Sequence, residues 1–272
     1  MAIHRTPKLI ASNQNAWLKE VQLLIDKSKV RQARGLFVVE GLVEIRTALR
    51  GGFRLLTLAK HQHGISWDDL LTHIELSADV EFLELADLPW EKVVTRKTGV
   101  NALAVFQRDN RFDRLWDPAP HEIWLAVESV EKPGNLGAIL RSADASGISG
   151  VVICDGLSDV LHPQVIRNSL GAVCTVPIFC LTKEQLWQYA KDKGLHLYST
   201  FMENSTSCYK MNLGKGAVLI MGAEHQGVSD FWRGKVTNIQ IPMEGQVDSL
   251  NVSVAAALLM YEAKRQQGGT AE

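Results

Sequence analysis

The chain reads as an α/β protein in two parts, a small α/β domain followed by a larger one built on a parallel sheet. Three observations carry this. Short apolar runs alternate with helix-periodic stretches along all 272 residues. The runs beyond residue 121 are nearly continuous in apolar character, as in strands covered on both faces, where a half-exposed sheet would alternate. A polar stretch at 107–121, holding Pro118 and Pro120, lacks any period and separates the halves. With 46% hydrophobic and 22% charged residues the composition is that of a folded chain and excludes a disordered one.

Residues 14–29 place Trp17, Val21, Leu24 and Ile25 at helical spacing. A strand at 36–39, a helix at 40–49 stopped by Gly51-Gly52, and a strand at 55–59 then give a βαβ rhythm. A helix at 70–76, a strand at 80–83, a partly helical stretch at 85–95 and a strand at 102–106 close the first domain. In the second, strands are expected at 123–127, 150–153, 173–178, 195–198, 217–221 and 238–241. The division is therefore 1–107, a linker at 108–120, 121–267, and a tail at 268–272.

No run reaches the roughly 20 apolar residues that span a bilayer, and His4, Arg5 and Lys8 stand where a secretory leader would be apolar, so a cytoplasmic protein is expected. Cys154, Cys174, Cys180 and Cys208 lack metal-ligand or CxxC spacing; buried thiols are expected, and no metal. The formal net charge of -1 conceals an uneven distribution. Arg5, Lys8, Lys19, Lys27, Lys29, Arg31, Arg34, Arg46, Arg50, Arg54 and Lys60 face only Glu20, Asp26, Glu40 and Glu44 in the first sixty residues, a footprint suited to a polyanion or to a solvated helix face.

Parallel sheets bind ligands beyond the carboxyl ends of their strands, and three loops there are unusual. The first runs from Glu131 through Pro133, Gly134 and Asn135 into a helix with Ala138, Ser142 and Ala145 on one face and Arg141 among them. A guanidinium cannot shed its charge, so Arg141 is either ion-paired or placed for an anionic substrate. The second, Met221-Gly222-Ala223-Glu224-His225-Gln226-Gly227, sets a carboxylate between glycines directly after a strand; Glu224 can orient an arginine, bind a ribose hydroxyl or cap a helix near Ser229. The third leaves a strand at Ile241-Pro242 and starts a helix at Ser249 or Asn251, where open amides can hold polar ligand groups. That helix, apolar nearly all round at 255–259, belongs in a core or a subunit interface. Dinucleotide and P-loop fingerprints are absent.

Taken together and in this order, the three stretches resemble the three motifs of the SpoU (TrmH-like) branch of the SPOUT RNA methyltransferases. His162-Pro163-Gln164-Val165-Ile166-Arg167-Asn168-Ser169-Leu170-Gly171-Ala172 resembles the intervening helix of that family, and Phe37-Val38-Val39-Glu40-Gly41 the start of its accessory substrate-binding domain. The resemblance implies S-adenosylmethionine-dependent methylation of a ribose 2'-hydroxyl, a C-terminal trefoil knot, and a homodimer formed through the knotted domain. It implies a cofactor pocket from Ser199, Thr200, Met221, Gly222, Gly227, Ile241, Ser249 and Leu250, and a catalytic set of Arg141, Asn135, Glu224, Ser249 and Asn251. The basic first domain becomes an RNA-docking module with Lys27, Lys29, Arg31, Arg34 and Arg167 as contacts, and Trp17, Phe37 and Phe53 as stacking candidates that suit burial better. Ribosomal RNA is favoured over transfer RNA; a non-catalytic ribosome-assembly factor on the same fold is the competing expectation.

Overall fold

The computed structural model describes residues 6–72, 74, 79–96, 99–156, 159–201, 205–223 and 227–268. In chain order the elements are β1 (Lys8–Ile10), α1 (Ala16–Asp26), α2 (Ser28–Arg34), β2 (Leu36–Glu40), α3 (Leu42–Arg50), β3 (Arg54–His61), α4 (Trp67–Leu71), β4 (Glu81–Leu85), α5 (Asp87–Val93) and β5 (Leu103–Gln107). Then come β6 (Ile123–Glu128), α6 (Pro133–Ser146), β7 (Gly150–Cys154), α7 (Pro163–Asn168), β8 (Ile178–Leu181), α8 (Lys183–Asp192), β9 (His196–Ser199), β10 (Thr206–Ser207), β11 (Ala217–Met221), β12 (Thr237–Gln240) and α9 (Val252–Gln266).

Packing divides the chain into two units, Met1–Asp109 with Leu161–Thr175, and Asn110–Val160 with Val176–Glu272. The first holds a five-stranded sheet in the order β1-β4-β3-β5-β2, in which β1, β4 and β3 run parallel and β5 runs antiparallel to β3 and β2. Helix α1 starts at an Asn15 cap that accepts the Trp17 amide and buries Leu18, Val21 and Leu24 against Val38, Leu83, Leu103 and Val105 of the sheet. Phe37 and Phe53 are buried and meet edge to face at 5.0 Å, so neither offers a stacking surface; Trp17 packs half-buried on the same core.

Leu161–Thr175 joins the first unit although it follows β7 in sequence. α7 packs on β2, and a Cβ on Gly51 would lie 2.1 Å from the Cys174 carbonyl oxygen, so α3 and this segment meet backbone to backbone. The strand expected at 173–178 is instead a 3-10 turn at Ala172–Cys174 followed by β8. An apolar run of that length reports burial equally well as turn or strand.

The second unit holds seven parallel strands in the order β10-β12-β9-β11-β6-β7-β8. β6, β7 and β11 are buried at every residue, the cause of their continuous apolar sequence. The stretch 108–120 contributes Phe112 and Trp116 to the buried set, with Trp116 edge to face on Trp124 at 5.4 Å. Cys154, Cys174 and Cys208 are buried as expected, whereas Cys180 is exposed because β8 ends the sheet and one of its faces lies open. Among the described residues no helix is long and apolar enough to cross a membrane, and no His/Cys/Asp/Glu group could hold a metal ion.

Candidate active site

Because all seven strands are parallel, their carboxyl ends share one edge, and the ordering places β12, β9, β11 and β6 side by side there. Ser199 ends β9 and Thr200 follows it, Met221 ends β11 and Gly222 follows it, Ile241 follows β12, and Glu128 ends β6. Ile220 is in register with Ser199, and Met221 with Val127. Five of the expected cofactor residues are thus gathered at or just beyond the ends of three adjacent strands.

Gly222 is held to its identity by close approach. A Cβ there would lie 2.0 Å from the Gly227 carbonyl carbon and 2.2 Å from the Val228 nitrogen, backbone atoms that cannot swing away. The turn is pinned by a reciprocal Ala223–Gly227 pair of amide bonds, 3.0 and 2.9 Å, with Gly227 at φ 65°. Glu224 lies outside the described residues. Ser199 Oγ is fully buried and has no hydrogen-bond partner among the described residues, a polar group that a ligand atom at the strand end would satisfy. After β12 the chain runs exposed from Pro242 to Ser249, with Met243 and Val247 open to solvent and Leu250 half-buried. An orphaned hydroxyl, a glycine-only turn and an open apolar loop on one edge fit a mixed polar and apolar ligand such as S-adenosylmethionine.

Helix α6 begins with Pro133 and stops at a left-handed Gly147. It buries Leu136, Gly137, Ile139, Leu140 and Ala143, leaving Asn135, Ala138, Arg141, Ser142 and Ala145 on the opposite, open side. Arg141 is exposed, and among the described residues none pairs with its guanidinium. α6 packs along α9, whose Asn251 cap accepts the Ser253 amide at 2.9 Å and hydroxyl at 2.6 Å. The Asn251 side-chain amide also reaches Asn135 Oδ1 at 3.4 Å, so the first and third motifs meet. Ser249 is exposed and is not the cap. Helix α9 buries Val252, Ala256, Leu259 and Met260 but leaves Val254, Leu258 and Tyr261 exposed, so it is core on one side only.

Sequence reasoning passed over Glu128. Its buried carboxylate accepts from the Ser229 hydroxyl at 2.6 Å, the Ser229 amide at 2.9 Å and Trp232 Nε1 at 3.2 Å, fastening the segment after the β11 turn to the end of β6. The readable signal was an acid closing an otherwise apolar strand. Ser129 beside it sits at φ 54°, a left-handed conformation uncommon for a residue with a side chain.

The basic residues of the first unit separate into two kinds. Lys27, Lys29 and Arg34 are exposed, with Arg34 3.9 Å from Glu20. Arg31 is buried at 2% exposure and donates to the carbonyls of Leu24 at 2.6 Å and Ile25 at 2.9 Å, closing the end of α1. That corrects its expected role, since a guanidinium occupied by two carbonyls in the core is not open to phosphate. Arg167 is half-buried and donates to the Thr95 hydroxyl at 3.1 Å. Thr95 in turn donates its amide and hydroxyl to Glu40, whose carboxyl burial raises above its ordinary value against the lowering effect of Thr95, Arg167 and Arg96.

Residues 122–261, more than half of the chain, match the model of the SpoU rRNA Methylase family. The chain belongs to that family. It is 28% identical over 94% of its length to a 23S rRNA guanosine 2'-O-methyltransferase, RlmP, of Bacillus subtilis, covering 99% of that protein. It matches a Staphylococcus saprophyticus protein assigned to the TrmH family of tRNA/rRNA methyltransferases at 41% identity, over 53% of this chain and 58% of that relative. The crystal structure of an RNA 2'-O ribose methyltransferase superposes with a TM-score of 0.84 at 34% identity, covering 95% of this chain and 99% of that one. AviRb of Streptomyces viridochromogenes, a SpoU methyltransferase solved with AdoMet, superposes at 0.82 with 25% identity over 94% and 99%.

Proposed function

We propose that this chain methylates a ribose 2'-hydroxyl of structured RNA from S-adenosylmethionine, with ribosomal RNA as the substrate. The observation that carries the reading is the convergence of the ends of β9, β11 and β12, with the orphaned Ser199 hydroxyl, beside the helix that presents Asn135 and Arg141. Ribosomal RNA is preferred because the RlmP relative, aligned over nearly its full length, acts on 23S rRNA.

The cofactor is held by Ser199, Thr200, Met221, Gly222, Gly227, Ile241, Ser249 and Leu250, and it supplies a sulfonium-activated methyl. What remains for the protein is to align the hydroxyl oxygen and to receive its proton. The Arg141 guanidinium carries donors and no acceptor, so it acts as a donor, fixing a substrate oxygen or phosphate. Asn135 and Asn251, joined at 3.4 Å, position the start of α6. The proton goes to Glu224 or to a phosphate of the substrate. The segment from β11 to α9 forms a trefoil knot, and the open face of α9, with Val254, Leu258 and Tyr261 about half-exposed, is covered by a second copy of the chain.

The test is transfer of labelled methyl from S-adenosylmethionine to ribosomal and transfer RNA from a strain lacking the protein, followed by mapping of 2'-O-methyl sites. One mapped ribose in ribosomal RNA is expected. Arg141→Ala should keep cofactor affinity within twofold and lose at least a hundredfold in turnover. Methylation confined to transfer RNA would overturn the substrate, and unchanged turnover of the variant would overturn the role of Arg141.

A further inference from the structure

The first unit carries a cavity of its own. β1, β4 and β3 are parallel, and β2 also ends on the edge where they end, so Ile10, Leu85, His61 and Glu40 mark one border of the five-stranded sheet. On it opens a cavity of about 720 Å³ lined by His61, Asp87, Trp90, Glu91, Thr95 and Arg96 among others. That volume is within the range that receives a nucleotide-sized group. The exposed basic helix α2 leads into β2 at Leu36, the other end of that strand, and so lies toward the opposite border.

The lining is held in place from behind. His61 Nε2 lies 2.7 Å from Asp87 Oδ1, and its ring centroid is 5.9 Å from that of Trp90 at an interplanar angle of 41°. The strand end beneath it is fixed by buried Lys60, which pairs with Glu84 at 3.0 Å and donates to the His61 carbonyl at 3.3 Å. Arg96 is steadied by the buried Glu44 carboxylate at 3.6 Å while keeping over a third of its side chain open. The combination is the half-buried His61 ring backed by the buried Trp90, two carboxylates and one guanidinium. Unstacked bases are recognised by just these groups: rings for stacking, carboxylates for amino and imino donors on the base edge, an arginine for the phosphate.

We infer that this cavity receives one unpaired nucleotide of the RNA substrate, with its base against the His61 ring that Trp90 backs, its edge toward Asp87 and Glu91, and its phosphate at Arg96. The inference rests on the RNA-methyltransferase reading. It divides the labour of the first unit: Lys27, Lys29 and Arg34 attract phosphates without regard to sequence, and the cavity reads a base.

Ultraviolet cross-linking of the full chain to total ribosomal RNA, followed by mass spectrometry, tests this whether or not turnover is seen. Nucleotide adducts are expected on the peptides containing His61 or residues 87–96; adducts confined to other peptides overturn the inference. In the methylation assay His61→Ala should raise the KM for RNA about tenfold, with kcat within twofold and cofactor affinity unchanged. Glu91→Ala, at an exposed position, gives the same reading should His61→Ala fold poorly. A wild-type enzyme that methylates RNA while both variants keep its KM sinks the cavity alone; a wild-type chain that methylates nothing sinks the function proposed above, and the adduct map still decides the cavity.

Discussion

Replacing Glu128 probes how the end of β6 is coupled to the cofactor edge. Three donors converge on one buried carboxylate: the Ser229 hydroxyl on Oε1, and the Ser229 amide and Trp232 Nε1 on Oε2. Glu128→Ala removes both oxygens, so the Trp232 indole N–H is left buried and the Ser229 amide part-buried, each a donor without its acceptor. At about 1–3 kcal/mol for each unsatisfied donor, with a further contribution from the cavity, the loss should be about 3–5 kcal/mol. Glu128→Gln behaves differently. With its carbonyl on the Oε2 side it keeps both N–H bonds, and its NH2 faces a hydroxyl that can rotate to accept. Its loss should therefore be about 1–2 kcal/mol, the charge-assisted part of the bonds. Urea denaturation with constant slope measures both, and calorimetric titration with S-adenosylmethionine reads the effect on the edge, expected as weaker binding in the order wild type, Gln, Ala. An alanine variant within about 1 kcal/mol of wild type, or a glutamine variant as unstable as alanine, would refute the bonding scheme.

Three further outcomes follow from single residues. Ser199→Ala deletes an unpartnered buried hydroxyl, so stability without cofactor should stay level or rise by up to about 1 kcal/mol while the Kd for S-adenosylmethionine rises severalfold; destabilisation with an unchanged Kd would contradict the assignment. Arg31→Ala should lower stability by about 2–3 kcal/mol in denaturant titration, whereas alanine at Lys27, Lys29 or Arg34 should stay within about 0.5 kcal/mol; an Arg31→Ala value inside that band would return Arg31 to the surface set. Glu40 has a folded-state pKa raised by burial, so the folded chain binds its proton more tightly than the unfolded chain does. Stability linked to this group is greatest at low pH and falls as pH rises through the folded value. As pH falls from neutral toward the ordinary carboxylate value of 4.5, the balance between wild type and Glu40→Gln should accordingly move toward wild type, and movement the other way in paired thermal melts would overturn the sign.

Much of the site was legible because its signals are local. Gly222 and Gly227 follow a strand, Pro133 opens a helix, and Asn251 caps one; each obeys rules that depend on a few neighbouring backbone angles. The motifs therefore fall on loops at the carboxyl ends of strands, and most strands of the parallel sheet on the expected apolar runs. Three features were illegible for one shared reason. Arg31 sits among basic residues and looks like them, but only the fold turns it inward to the carbonyls of Leu24 and Ile25. Glu128 finds its partners about a hundred residues on, at Ser229 and Trp232. The segment 161–175 packs with the first unit although it is flanked on both sides by chain of the second.

Sequence alone determined the fold class, five of the seven described strands of the parallel sheet and the order of the three motifs along the chain, since hydrophobic period and turn chemistry are set within a few residues. Tertiary structure decided which strand ends stand side by side, which cations are left open, and where a cavity with paired rings and charges lies, because each is a relation between residues that strand order and packing bring together from far apart in the chain.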